Sequence, residues 1–413
     1  MPFKLPICEG VVHLPKGTGR YTVGCIDVFT VEHESKLPLL FRLYYPSSDK
    51  CDSSRWPLWL PDPKYAESYV EGNFQYSPAF KSFLINTGIY NFQGKMLRRL
   101  TSNPVVPVNE GSKPDGERFP VVIFSHMLSA CRTTYSFLCT DIASQGYYVA
   151  ALEHGDNSAS IRMMMSSPDS KISWRSIKTL PKGANETELR ARQLKYRTSE
   201  VSQCLDSLVS LDNGILQDLF IKYSETLSVN HERIGLESFK GKLEIENCII
   251  AGHCMGGCTT IRTLSLDARF KGGVAIDSWM YPVRKDEIDF DKKKLLFVNM
   301  EKWQFAKNLK CMVRYESSLA GELKTNVVSL KNDTHYSPTD HLIALQNCFL
   351  GKIVAGVLGK PDPDFSSFQN LLAISELVHG WIKNRLCAET ETYLTTCRKY
   401  KGRVLYGIKT PEE

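Results

Sequence analysis

The sequence predicts an α/β fold, a mostly parallel central sheet with helices on both faces, and three observations carry that expectation. The run PVVIFS at 120–125 is continuously apolar, as a strand buried on both faces requires. Comparable strand-like runs recur at 147–152, 247–252, 273–276, 294–299 and 326–330. Helical patterns fall between several of them, and strands alternating with helices in this order imply parallel pairing and covered faces.

Taken in chain order, 20–30 and 39–45 read as two early strands, apolar and β-branched, separated by a charged turn. Residues 56–116 are rich in proline and aromatics and read as irregular. Within them 80–90 is the most apolar stretch. A helix is expected over 131–144, and a long charged amphipathic helix over 186–211, with Gly183 and Asn185 marking its start and its outer side read as a solvated face. The last amphipathic helix falls at about 368–386. The whole chain is expected to be a single domain: an N-terminal part over 1–118, a catalytic core over 119–386 and a tail over 387–413.

Composition narrows the function. Hydrophobic residues make up 42% of the 413 and charged residues 23%, which is ordinary globular usage. A chain of this length can bury a large core without disulfide or metal support. The net charge of +6 comes with no arginine-rich stripe, so nucleic-acid binding is not expected. No run reaches the roughly 18 apolar residues of a membrane span, and MPFKLPICEG precedes no apolar core of signal-peptide length. The 13 cysteines include no C-x-x-C pair and are expected to be reduced, mostly in the core. A cytoplasmic protein, in peripheral contact with membranes at most, fits these features. The oligomeric state is not legible.

The segment NCIIAGHCMGGCTT carries the chemistry. A nucleophile elbow is a sharp strand-to-helix turn that presents one side chain in a strained backbone conformation. It needs very small residues two positions either side of the nucleophile. Gly252 and Gly256 supply them around Cys254, and Gly257 lets the helix approach the sheet. An elbow between a buried strand and a helix points to the α/β-hydrolase fold, with cysteine where serine is usual. The acid and base should follow in that order, each after a strand. Asp277 ends the run GGVAID, and His335 lies in KNDTHYSPTD after the run TNVVSL. Asp340 and His341 are nearby competitors, read as groups that fix the loop. Two backbone N–H groups should form an oxyanion hole: Met255, directly after the nucleophile, and Leu128 in the loop SHMLSA. His126 and His253 flank these positions and are read as loop supports. No metal or other cofactor is called for.

Over roughly 24–386 the chain resembles the platelet-activating factor acetylhydrolases of the plasma and intracellular type II group. The landmarks are PLWLP around Trp59, PVVIFSHMLSACRTTYS, GYYVAALEHGDNSAS, GHCMGG and GGVAIDSWMYP. The resemblance puts Cys254, Asp277 and His335 on that family's nucleophile, acid and base, and Leu128 and Met255 on its oxyanion donors. It implies a calcium-independent phospholipase A2-type esterase that removes short or oxidised acyl groups from the sn-2 position of phospholipids through an acyl-enzyme. Three departures stand out. Cysteine replaces the serine nucleophile; Met127-Leu128-Ser129 replaces a glycine-leucine-glycine oxyanion loop; and Gly155 replaces an arginine after Glu153-His154. If the glycines supply positive φ, the new side chains strain or reshape the hole. The alternative is a catalytically impaired relative that binds lipid or a partner. Candidate membrane contacts are Phe83, Leu84 and Ile89, with Lys95, Arg98 and Arg99 beyond to meet phosphates.

Overall fold

The computed structural model describes residues 12–32, 37–74, 103–177, 185–228, 231–286, 294–313, 315, 326–346 and 366–407. The segment 80–90 and its following cations, including Phe83, Leu84 and Ile89, lie outside the described residues.

One sheet of eleven strands organises the chain. Its centre is parallel: β4 (Phe119–Ser125) lies between β5 (Tyr148–Leu152) and β9 (Leu243–His253), and β10 (Phe270–Ile276), β11 (Lys294–Met300) and β12 (Val327–Leu330) follow on the β9 side. All of β5 and nearly all of β4 are buried, as their unbroken apolar runs require. Antiparallel strands extend the β5 side: β2 (Leu40–Ser47) pairs β5 and β1 (Thr22–Thr30) pairs β2. Beyond them, the short β3 (Asn109–Glu110) and β8 (Leu219–Lys222) both pair β1. A separate hairpin joins β6 (Ile161–Met164) to β7 (Ser173–Ser176). This is the α/β-hydrolase fold the sequence predicts.

Two hydrophobic clusters cover the faces of the sheet. The helices are α1 (Pro63–Phe74), α2 (Ser136–Ser144), α3 (Glu186–Asn213), α4 (Met255–Leu266), α5 (Ala306–Val313), α6 (His341–Gln346), α7 (Ser367–Cys387) and α8 (Thr390–Lys399). Three local expectations need correction. The helix expected from 131 begins only at Ser136, because residues 132–135 turn first. The irregular stretch 56–116 contains α1. The stretch 387–413 contains α8 and β13 (Val404–Tyr406), the strand that pairs antiparallel with β12.

The long helix is the instructive case. Asn185 caps α3, accepting from the Glu188 N–H, and Gly214 ends it in the left-handed region at φ 74°. It is not simply a solvated face. Arg190, Arg197 and Glu200 are buried on its inner stripe together with Leu194, Val201 and Leu205. Charges in such positions persist only when paired and hydrogen-bonded. Arg197 pairs with groups in the loops after β4 and β5, Glu200 with His154, Gly155 and Arg162, and Arg190 with Gln193 and Glu186 of its own helix.

No helix among the described residues is long and apolar enough to cross a membrane. All eleven cysteines among the described residues are free, and eight are buried.

Candidate active site

Steric demands build the elbow. Cys254 stands between β9 and α4 at φ 58°, ψ −114°, a conformation that costs a non-glycine residue about 1–3 kcal/mol. A Cβ on Gly252 would lie 2.3 Å from the Gly256 carbonyl oxygen. One on Gly256 would lie 2.0 Å from the Ser125 carbonyl oxygen, and one on Gly257 would meet the Ser278 Cβ at 2.7 Å. All three glycines are therefore required where they stand. The Cys254 N–H donates to the Ile276 carbonyl at 3.0 Å, and its own carbonyl accepts from the Trp279 N–H at 3.1 Å, which locks the turn to the end of β10.

Asp277 follows β10 directly, at φ 40° and fully buried. One carboxylate oxygen contacts His335 Nδ1 at 2.6 Å; the other accepts from the Met300 N–H at 2.9 Å and from Gln304 Nε2 at 2.5 Å. His335, in the loop after β12, also interacts with the Cys254 side chain. Its ring stacks on Trp303, centroids 3.9 Å apart and planes 18° apart, and lies 4.5 Å from the His253 ring. Burial alone would lower its pKa. The charge on the Cys254 sulfur and the hydrogen bond to Asp277 outweigh burial and raise it to about 10. The geometry thus favours an imidazolium beside the sulfur. Burial pushes the thiol of Cys258, one helical turn further on, far above its ordinary range.

The loop after β4 has a different construction. The Met127 N–H donates to the Tyr135 hydroxyl at 3.2 Å, and the Ser129 N–H to the Ser158 carbonyl at 2.8 Å. Leu128 lies between them, half-buried, and among the described residues its N–H meets no acceptor. The Met255 N–H, first in α4, has no helical carbonyl to meet. Both are therefore available as donors. Ser129 sits at φ 61°, the left-handed region a glycine would occupy without strain, and its buried hydroxyl has no hydrogen-bond partner among the described residues. Of Met127, Leu128 and Ser129, only Ser129 has a positive φ.

The remaining candidates act as supports. His126 Nδ1 contacts the Met127 carbonyl at 2.7 Å, and its Nε2 accepts from the His154 N–H at 3.1 Å. His253 Nδ1 contacts the Tyr135 hydroxyl at 2.7 Å. That hydroxyl already accepts from Met127, so its own proton is free to go to Nδ1. Asp340 accepts from the N–H groups of Ser136 and Phe137 at 2.5 and 3.1 Å and from Trp59 Nε1 at 3.2 Å, capping α2. His341 packs edge-on against Trp59 and Tyr69.

Gly155, after Glu153-His154, stands directly against a cation. A Cβ on Gly155 would lie 1.5 Å from an Arg162 guanidinium nitrogen, and that guanidinium binds Glu200 at 3.0 Å. A cation delivered from β6 fills the space. Trp303, Gln304 and Arg197 were not singled out from the sequence. A charged residue on the apolar stripe of α3 was the available signal for Arg197; nothing in the sequence marks the other two.

Donor atoms of His253, Asp277 and His335 lie within 4.8 Å of one another. A cation drawing on His335 Nδ1 would have to replace its 2.6 Å contact with Asp277, so these groups are better matched to one another than to a metal.

Comparisons with known proteins place this geometry. The sequence model of the family described as platelet-activating factor acetylhydrolase, isoform II matches residues 7–367. A platelet-activating factor acetylhydrolase of Cavia porcellus is 33% identical over 361 residues, 86% of this chain and 74% of that one. The Bos taurus protein of the same name is 31% identical, covering 81% and 70%. Among solved structures, a ferulic acid esterase from Streptomyces cinnamoneus superposes with a TM-score of 0.60 over 92% of this chain and 94% of that one; at 16% identity this shows a shared fold.

Proposed function

The chain belongs to the platelet-activating factor acetylhydrolase, isoform II family, and on that premise we propose how it works: Cys254 is the nucleophile, His335 the general acid–base, and Asp277 the carboxylate that orients the imidazole. The protein is an ester hydrolase. The substrate assigned here is a phospholipid with a short or oxidised acyl group at sn-2, cleaved without a metal cofactor by one domain that spans the chain.

The sulfur, as thiolate, attacks the ester carbonyl carbon. Charge moves onto the carbonyl oxygen, where the Leu128 and Met255 N–H groups receive it. Collapse of the tetrahedral adduct expels the lysophospholipid alkoxide, which takes the His335 proton and leaves a thioester on Cys254. Neutral His335 then removes a proton from water, the resulting hydroxide attacks the thioester, and the carboxylic acid departs as the thiolate–imidazolium pair is restored. Asp277 holds the ring through Nδ1 at 2.6 Å, so Nε2 is the nitrogen that exchanges protons.

One observation carries this reading: a strained Cys254 at the elbow interacts with an imidazole whose Nδ1 meets a buried carboxylate. The test is mass spectrometry after mixing with a short-chain activated ester. A thioester on Cys254 at some pH between about 6 and 9 is expected, and none in Cys254→Ala. Absence of any adduct on Cys254 across that range overturns the thiol mechanism.

A second reading, a hydrolase relative that binds lipid but turns over poorly, is favoured by the cysteine itself and by strained Ser129. A thiolate leaves more readily than an alkoxide, so the tetrahedral adduct can return to ester. On this reading the wild type binds phospholipid vesicles without releasing acid, and Cys254→Ser gains hydrolysis. On the first reading Cys254→Ser loses it.

A further inference from the structure

The mechanism uses none of the buried charges of α3, yet one of them reaches the oxyanion loop directly. Arg197 is fully buried. Its guanidinium donates to the His126 carbonyl at 2.6 Å, to the Ser158 hydroxyl at 2.5 Å, and through Nε to Asp156 at 3.1 Å. The Ser158 hydroxyl in turn donates to Asp156, and Gln193, one turn earlier on α3, donates to the Asp156 carbonyl at 3.2 Å.

Those contacts grip the oxyanion loop at two points. His126 precedes Met127-Leu128-Ser129, and its carbonyl oxygen also abuts the elbow: a Cβ on Gly256 would lie 3.0 Å from it. Ser158 presents its carbonyl to the Ser129 N–H at 2.8 Å, the bond that accompanies the positive φ of Ser129. The Ser160 N–H then donates to the Ala130 carbonyl at 2.9 Å. The backbone hydrogen bonds of Ser129 and Ala130 thus go to Ser158, which Arg197 holds, and to Ser160 two residues further on.

We propose that Arg197 is a positioning residue for the oxyanion hole: by holding the His126 carbonyl and the Ser158 hydroxyl it fixes a glycine-poor loop so that the Leu128 N–H stays unpaired and aimed at substrate. The proposal rests on the assignment of Leu128 as oxyanion donor. A glycine at 129 would accept the left-handed conformation freely. A serine there must be held in it, and the planar fork of an arginine can bind a carbonyl and a hydroxyl together where a lysine ammonium cannot keep both in fixed geometry. A merely structural Arg197 would tie α3 to the 155–160 turn and leave catalysis dependent only on folding.

The test uses Arg197→Lys, Arg197→Met and Ser158→Ala in the full chain, the serine variant serving if removal of the buried cation prevents folding. Three quantities are measured: turnover of a soluble activated ester, alkylation of Cys254 by iodoacetamide, and hydrogen exchange of peptides covering 126–130 and 252–257. Alkylation needs the sulfur and imidazole but no oxyanion hole. The expected result for Arg197→Met is a fall in kcat of about 10²-fold, with KM and alkylation rate unchanged. Arg197→Lys and Ser158→Ala should fall less. Exchange should quicken in 126–130 and stay constant in 252–257. Unchanged kcat, unchanged loop exchange, or alkylation falling in step with turnover overturns the clamp. If the wild type forms no thioester, the proposed mechanism fails on its own, and the exchange contrast still decides whether Arg197 holds the loop.

Discussion

The two halves of the site are held in shape by different means. The elbow and the end of β10 are fixed by local sterics: three glycines with backbone atoms crowding every missing Cβ, and backbone bonds from Cys254 to Ile276 and from Trp279 to Cys254. The oxyanion loop is fixed from a distance, by the Tyr135 hydroxyl on one side and by α3 with the 155–160 turn on the other. In the first half the geometry resides in the backbone and does not depend on which side chain stands at 254. The second has a serine at the positive-φ position 129 and keeps its shape through side chains. A backbone-held turn fails abruptly when crowded, whereas a side-chain-held loop loosens by degrees.

The sharpest way to break that contrast is Gly256→Ala. The added carbon would sit 2.0 Å from a backbone oxygen that cannot swing aside, so a loss of about 3 kcal/mol or more is expected in chemical denaturation. A variant as stable as wild type would show that the elbow is not sterically fixed. Next in size is an effect of pH. Because His335 is raised to about 10 from an ordinary 6.5, its protonation stabilises the fold fully below about 6.5, and that contribution is lost as pH rises through about 10. Cys254→Ser removes the sulfur's share of the shift while the Asp277 contact remains, so the alkaline edge of the window should move toward neutrality. Titration of the His335 ring by NMR checks this; an identical titration in both proteins would mean the sulfur carries no charge. The smallest effect belongs to Ser129→Gly. Relief of the positive φ is expected to add about 1 kcal/mol or less and to raise turnover only severalfold. A marked drop in turnover would instead make the serine a working part of the loop.

The same contrast explains what was legible in the sequence. A sheet order set by unbroken apolar runs, and an elbow set by small residues at fixed spacing, are written in neighbouring positions. Asp277 and His335 were legible because each follows its strand within a few residues. Arg197 acts on His126 across 71 positions. Gln304 and Trp303 reach Asp277 and His335 from a turn with no pattern of its own. Such long-range polar contacts leave no periodicity to read. A charge on the inner stripe of α3 marks that something is paired there without saying with what. The short strands β3, β8 and β13 escaped notice for a related reason, since two to four residues at a sheet edge are too few to show alternation.

Asp340 links two segments of the site. Its carboxylate caps α2, the helix that leaves the oxyanion loop, while its backbone belongs to the segment that carries His335; its N–H also donates to the Thr134 carbonyl at 3.0 Å. The loop that carries His335 and the start of α2, which follows the 126–130 loop, are thereby tied to one carboxylate, so a displacement of either must move or break that tie.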